Sequence, residues 1–307
     1  MPLSAGGSFD PGGPVAAEIN QLWWLMLWLG VATFVLFLVL LARGLTRDDD
    51  GSGPDRSRTF LYAGGLVLPA VVITVVFAAT LVSMRALSAE ADENAVVVEI
   101  TGHQWWWEIE YPELGISTAN EFHIPIGRDV ELRLRSDDVV HSLWLPELAG
   151  KLDLLPERVN VLVLRADQPG NYGGTCAEFC GLQHTKMRIT AIAETEERFS
   201  AWVDRQRSIP DPPSTSEAEE GARLFAITGC AECHTVRGTD AVGVDGPDLT
   251  HLMTRMTIGA GTLTNDLESL GDWIRRPQDH KEGISMESPD LTDAEIDSLL
   301  AYLATLE

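Results

Sequence analysis

Two long apolar runs without a single charge open the chain, Ile19 to Ala42 (INQLWWLMLWLGVATFVLFLVLLA) and Thr59 to Met84 (TFLYAGGLVLPAVVITVVFAATLVSM). The first holds 24 residues, about 36 Å of helix and enough to cross a bilayer. Gly64, Gly65 and Pro69 are compatible with a second span, because neighbouring packing can satisfy the backbone they free. Trp23, Trp24 and Trp28 suit an interfacial aromatic belt. The first run has neither a basic leader nor a small-residue cleavage site, so it reads as a span rather than a signal peptide.

From about Ala95 the pattern shortens to alternating or β-branched runs separated by turn residues: VVVEITG, EFHIPIG, DVELRLRS, VNVLVLRAD and MRITAIAE. Such spacing predicts an antiparallel sandwich or barrel. ERFSAWVDRQ closes it as a short helix, and SIPDPPSTSEAEE follows as a stiff polar linker. The period then turns helical. Ser216–Glu219 predicts a capping box opening a helix through Ala226. Thr292–Glu295 predicts another, with Ile296, Leu299, Leu300 and Leu303 on one face. The organisation expected is a membrane hairpin over residues 1–90, with spans at about 19–42 and 59–84. A β module over 91–198, a linker over 199–214 and a helical module over 215–307 complete it.

The net charge of −24, from 46 acids and 22 bases, argues against a nucleic-acid partner and for basic protein partners. Both modules share it, at about −10 over 91–198 and about −12 over 215–307. Arg43, Arg47, Arg56 and Arg58 cluster between the spans, whereas residues 1–20 contain no Lys or Arg. That asymmetry predicts a cytoplasmic loop, with both termini and both modules outside.

All four cysteines fall in two local pairs. CAECH, Cys230 to His234, has the spacing of covalent c-type haem attachment: Cys230 and Cys233 bind the vinyl groups and His234 lies under the iron. Zinc would need two more ligands, and a thioredoxin-like pair would need a βαβ context. For the sixth ligand the candidates are His251, Met253, Met256, His280 and Met286. A helix leading into CxxCH, then GPDLT, then a loop Met before a last amphipathic helix resembles the class I cytochrome c domains. That resemblance implies Met286 as the axial ligand, although Met-Glu stands where the family usually has Met-Pro. Met253 and Met256 then read as core or haem-edge residues, and His251 and His280 as solvent or haem-edge groups.

The other pair lies in GTCAEFCGLQHTKM. A disulfide across so short a loop would add little, zinc seldom takes Met, and thiolate, imidazole and thioether together are a soft set that suits copper. His141, in DDVVHSLWLPELAGK, offers one more imidazole. With GHQWWWEIEY, EFHIPIG, HSLWLPELAGKLDLLPERVN and GNYGGTCAEFCGLQH, these residues resemble the binuclear CuA domain of cytochrome c oxidase subunit II over about residues 10 to 205. With the helical module the chain resembles the caa-type subunit II.

The resemblance implies a multidomain membrane protein: a two-helix transmembrane hairpin, a cupredoxin-like Greek-key β-barrel and an all-α cytochrome c domain. Carried over, Cys176 and Cys180 bridge two coppers, and His141 and His184 bind one copper each. Met187 is a weak ligand, and the Glu178 backbone carbonyl another, with a magnesium site within reach of the Glu178 side chain. Trp105 is the implied electron conduit, while His103 and His123 read as structural. The implied complex is a haem–copper oxidase in a bacterial cell membrane. Its subunit I carries haem a and haem a3–CuB and reduces O2, its donor is a reduced cytochrome c, and proton pumping accompanies turnover. TFLYAGG lacks the carboxylate that relatives often carry there, so no proton-uptake residue is assigned. Two rivals accompany this reading. One is a nitric oxide reductase subunit with the same cofactors; the other is a thioredoxin-fold copper-delivery protein of the Sco type. Quinol oxidase subunit II is a relative without the copper ligands.

Overall fold

The computed structural model describes residues 7, 9–46, 57–87 and 91–307. The first apolar run is helix α1, Pro14–Leu45. The second begins as α2, Ser57–Tyr62, widens into one π turn over Ala63–Val67 and continues as α3, Leu68–Leu87. The wide turn falls at Gly64 and Gly65, just before Pro69, which has no N–H to return to the carbonyl four residues back. Both helices are long and apolar enough to cross a membrane. Their hydroxyls are satisfied within the helix: Thr33, Thr74 and Thr80 donate to the carbonyls of Leu29, Ala70 and Val76. Arg47 and Arg56, two of the four arginines that orient the hairpin, lie outside the described residues.

The β module has ten strands. They are β1 (Val96–His103), β2 (Trp106–Tyr111), β3 (Ile116–Ala119), β4 (Glu121–Pro125) and β5 (Val130–Ser136). After them come β6 (His141–Trp144), β7 (Leu152–Leu154), β8 (Asn160–Leu164), β9 (Gly170–Cys176) and β10 (Arg188–Glu194). They form two five-stranded sheets, ordered β3-β2-β1-β5-β8 and β4-β10-β9-β6-β7. Neighbours run antiparallel except β1 beside β5 and β4 beside β10, the crossovers that make this a cupredoxin-like Greek key. Alternation sends Trp107, Ile109 and Tyr111 of β2 and Val130, Leu132 and Leu134 of β5 into the core, with Phe122 and Ile124 of β4. Helix α4, Glu196–Arg207, buries Phe199, Trp202 and Val203. Trp202 stacks on His123 with centroids 4.4 Å apart, and the Tyr111 hydroxyl bridges the backbone N–H and C=O of His123.

The helical module comprises α5 (Ser216–Ile227), α6 (Cys230–Cys233), a hairpin of β11 (Thr257–Ile258) and β12 (Leu263–Thr264), α7 (Leu267–Arg275), α8 (Pro277–His280) and α9 (Asp293–Leu303). Phe225, Leu270, Ile274, Ile296, Leu299 and Tyr302 form its core. Gly221 lets α5 and α9 meet, since any Cβ there would strike the Ser298 carbonyl. The cap of α5 is Thr215, whose hydroxyl accepts from Ala218 N at 3.1 Å, one residue earlier than Ser216. At α9 the Thr292–Glu295 capping box forms as expected, with both reciprocal bonds present.

Ala91–Glu307 packs as one compact unit and Val15–Glu90 as a second. Gly12 belongs with the first, donating to the Glu147 carbonyl and accepting from Asp167 N.

Candidate functional site

β6 and β9 pair antiparallel with Leu143 opposite Cys176, which puts His141 beside the end of β9. From Cys176 the chain leaves the sheet, loops through 177–187 and returns as β10. Cys176 N donates to the Met187 carbonyl at 2.9 Å and closes the base of the loop, and Ala177 N donates to the Ser142 carbonyl at 2.8 Å. Strand pairing therefore sets the loop ends, and a one-turn 3₁₀ helix, His184–Lys186, shapes its return.

Inside this loop the sequence candidates converge. Cys176 Sγ lies 3.7 Å from Cys180 Sγ, 3.8 Å from His141 Nδ1 and 3.2 Å from the Glu178 carbonyl oxygen. Cys180 Sγ lies 3.6 Å from His184 Nδ1 and 3.9 Å from Met187 Sδ. The cysteines are free thiols, and His141, Cys176 and Cys180 form a buried group able to hold a metal ion. Both histidines turn Nδ1 inward. At His141 the reason is visible: Nε2 donates to Asp138 Oδ1 at 2.8 Å, which leaves Nδ1 as the lone-pair nitrogen.

Electrostatics favours a thiolate here. The Cys180 thiol hydrogen bond, aided by His141, pulls Cys176 down to about 3, while the Cys176 charge and burial push Cys180 up. Burial opposes a charged His141, but its bonds to Cys176 and Asp138 outweigh that and raise it. Gly102 lies under the His141 ring, where a Cβ would come within 2.8 Å of Cδ2. The Glu178 carboxylate points to Lys151 Nζ at 3.6 Å.

Trp105 packs against the same loop. It is 9 % exposed, and its indole Nε1 donates to the Cys180 carbonyl at 3.0 Å. Gln104 Nε2 donates to that carbonyl too. Gly181, at φ +117°, makes room for both; a Cβ would lie 2.9 Å from Gln104 Nε2 and 3.0 Å from Trp105 Cζ2. His103 stacks on Trp106 and meets Glu108, and His123 bonds Glu194 at 2.9 Å. Neither joins the thiol cluster.

In the helical module, Cys230 and Cys233 occupy the single turn of α6 and His234 follows in extended conformation. His234 Nδ1 donates to the Pro247 carbonyl at 2.8 Å, so Nε2 carries the free lone pair. Burial lowers the His234 pKa and keeps the ring neutral. Gly246 makes room for it, since a Cβ would fall 2.6 Å from Cε1. Met286 and Met253 pack on the module core, and the Met286 carbonyl is held by Gln278 Nε2 at 2.8 Å. Arg255 is half-buried, with its Nε unpartnered. His251 is not a solvent group. It is buried, with Nδ1 bonded to the Glu307 carbonyl and Nε2 to the Ser208 carbonyl, because the chain end folds back over it.

The thiol-loop side also meets the helical module. Lys281 Nζ donates to the carbonyls of Trp105, Lys186 and Gly259, Gln183 Nε2 to Glu282 O, and Arg188 N to Ala260 O. Both oxygens of buried Glu121 accept from Met256 N. Asp138, Gln104, Glu121 and Lys281 escaped the sequence reading. Only Asp138, three residues before a candidate ligand, carries a local signal.

The family described as cytochrome c oxidase subunit II, periplasmic domain, matches residues 114–194, and cytochrome c matches residues 218–307. The cytochrome c oxidase subunit 2 of Alkalihalophilus pseudofirmus is 33 % identical over 313 residues, covering 98 % of this chain and 90 % of its own. That of Bacillus sp. (strain PS3) is 34 % identical over 255 residues, covering 79 % and 71 %. Among solved structures, the periplasmic domain of subunit II of cytochrome oxidase of Bradyrhizobium japonicum is 26 % identical, covering 39 % and 96 % at a TM-score of 0.37.

Proposed function

The chain belongs to the cytochrome c oxidase subunit 2 family, and on that premise we propose that it is the electron-input subunit of a haem–copper terminal oxidase. It takes electrons from a reduced cytochrome c or similar donor by way of haem c and binuclear CuA. It delivers them to a subunit I whose haem a and haem a3–CuB reduce O2 to water with proton pumping. The observation that carries this reading is the convergence of two thiols, two inward Nδ1 atoms, a thioether and a carbonyl where β6 meets the 177–187 loop.

The donor set fits a copper pair, which Cys176, Cys180, His141 and His184 would hold, with Met187 and the Glu178 carbonyl as weaker ligands. Thiolate-bridged copper supplies a one-electron site whose delocalised charge changes bond lengths little on reduction. Asp138 holds the His141 tautomer, Gly102 gives its ring room, and His141, Cys176, Cys180 and Met187 are buried away from water. The helical module fits haem c, which Cys230 and Cys233 would anchor by thioether bonds and His234 and Met286 would ligate; the unpaired guanidinium nitrogen of Arg255 would suit the haem's carboxylates. Trp105, bonded to the Cys180 carbonyl, is the conduit candidate. The Glu178 side chain, exposed beside Lys151, is where an interfacial magnesium would bind.

The hairpin anchors the subunit in the bacterial cell membrane with both termini outside. The Sco-type alternative falls with the fold, since two five-stranded sheets are not a thioredoxin fold. Metal analysis and electron paramagnetic resonance on the full-length chain test the proposal. Two coppers sharing one unpaired electron, beside one low-spin c haem, are expected; a single localised copper would refute it. Turnover of the assembled complex with O2, rather than nitric oxide, separates the oxidase from the reductase.

A further inference from the structure

The chain contains only three lysines against nineteen arginines, and all three meet the loop that carries the thiols. Lys151 pairs with Glu178, and Lys186 lies within the loop and donates to the His280 carbonyl. Lys281 is different in kind: its side chain is 2 % exposed and belongs to the helical module. Its three ammonium protons find three carbonyls, Trp105 at 2.7 Å, Lys186 at 3.0 Å and Gly259 at 3.2 Å. Among the described residues no carboxylate is bonded to it, and three oriented peptide dipoles offset the cost of burying the charge. A compact ammonium can satisfy three carbonyls that converge from different segments; a planar guanidinium cannot.

The three acceptors lie on both sides of the module boundary. Trp105 packs against the thiol loop and Lys186 lies in it, whereas Gly259 belongs to the β11–β12 hairpin of the helical module. Lys281 itself lies five residues before Met286. Around it the boundary is tight: Gln183 bonds Glu282, and Gly283, at φ +85°, faces Leu182 and Trp105, which a Cβ would approach to 3.4 and 3.8 Å.

We propose that Lys281 is a positioning residue that clamps the Met286-bearing segment onto Trp105 and onto the thiol loop at Lys186, and so sets the separation of the two redox sites. The inference rests on the copper and haem assignments above. It makes the haem module a fixed neighbour of the copper loop rather than a donor swinging on its linker.

The test uses the full-length chain, loaded with copper and haem, in detergent. An acetylating reagent read by peptide mass spectrometry should modify Lys151 and Lys186 readily and Lys281 at least tenfold more slowly. Equal reactivity of Lys281 and Lys151 would overturn the clamp. In Lys281→Met, haem absorbance and the copper spectrum should persist. The haem–copper distance distribution from dipolar electron paramagnetic resonance should broaden, and amide exchange should rise in 181–187 and 256–261. A distribution as narrow as that of the parent would also overturn it. If the variant fails to fold, lysine reactivity in the parent decides. If copper or haem is missing from the parent, the functional proposal falls while lysine reactivity still reports on the clamp.

Discussion

His141 Nε2 lies 2.8 Å from Asp138 Oδ1, and His141 Nδ1 lies 3.8 Å from Cys176 Sγ. One ring thus has its outer nitrogen committed to a carboxylate and its inner nitrogen turned to a thiolate, the arrangement that prepares an imidazole for a metal. Asp138 is thereby as much a part of the centre as the ligands. Replacing it with Ala is expected to weaken copper retention about 10- to 100-fold. Asn, which can still accept from Nε2, should cost less. Chelator competition followed by the copper absorption bands would check both.

Gly246 is the corresponding point in the haem module, because its missing side chain is what leaves room for His234. Gly246→Ala should displace the ring from the Pro247 carbonyl and cost about 1–3 kcal/mol of stability. Loss of the low-spin haem spectrum, or a large drop in covalently attached haem, is the expected result. A normal spectrum would show that the ring has no need of that space.

The boundary between modules should respond to pH through Glu121. Burial raises this carboxyl from its ordinary 4.5 to about 7, against the bonds from Met256 N and the nearby Arg255 charge. A carboxyl with a raised folded pKa favours the protonated native state. Its contribution is complete below pH 4.5 and is lost as pH climbs through 7. Glu121→Gln, which keeps an acceptor for Met256 N, should therefore stabilise the protein at pH 8 by up to about 3 kcal/mol and leave it unchanged at pH 4.5. Thermal unfolding of parent and variant at both pH values measures the difference.

His123 and Glu194 move stability in the opposite sense. Burial lowers His123, and the bond to His123 lowers Glu194. Both depressed groups contribute stability that is present above their unfolded values, and it is lost as pH falls, first below 6.5 for His123 and then below 4.5 for Glu194. Acid unfolding monitored by Trp202, which stacks on His123, should begin at lower pH in a His123→Phe variant.

Thr292→Ala removes the hydroxyl of the α9 capping box and is expected to cost about 1 kcal/mol. Because α9 packs the core of the haem module, chemical denaturation followed at the haem should detect the loss. A null effect would mean that tertiary packing alone holds the α9 end.

Much of this protein is written locally. The uncharged runs become α1 and α2–α3 because nothing in them needs water. CAECH places two thiols and an imidazole by spacing alone, and Thr292–Glu295 caps α9 through bonds that span three residues. The proposed copper ligands from Cys176 to Met187 lie within one stretch of chain, so their order along it already brings them near one another. What lies apart in sequence was decided only by folding. The β6–β9 pairing delivers His141 to Cys176 from 35 residues away. Asp138 becomes a tautomer lock only once that register exists. Lys281 meets Trp105 across 176 residues, and no pattern of polar and apolar positions marks a lysine for burial. Even His251, read as a solvent or haem-edge group, is covered by Glu307, 56 residues further on. Spacing encodes chemistry where neighbours in sequence are neighbours in space. A buried charge or a second-layer hydrogen bond depends on which surfaces meet, and that is set by the packing of whole modules.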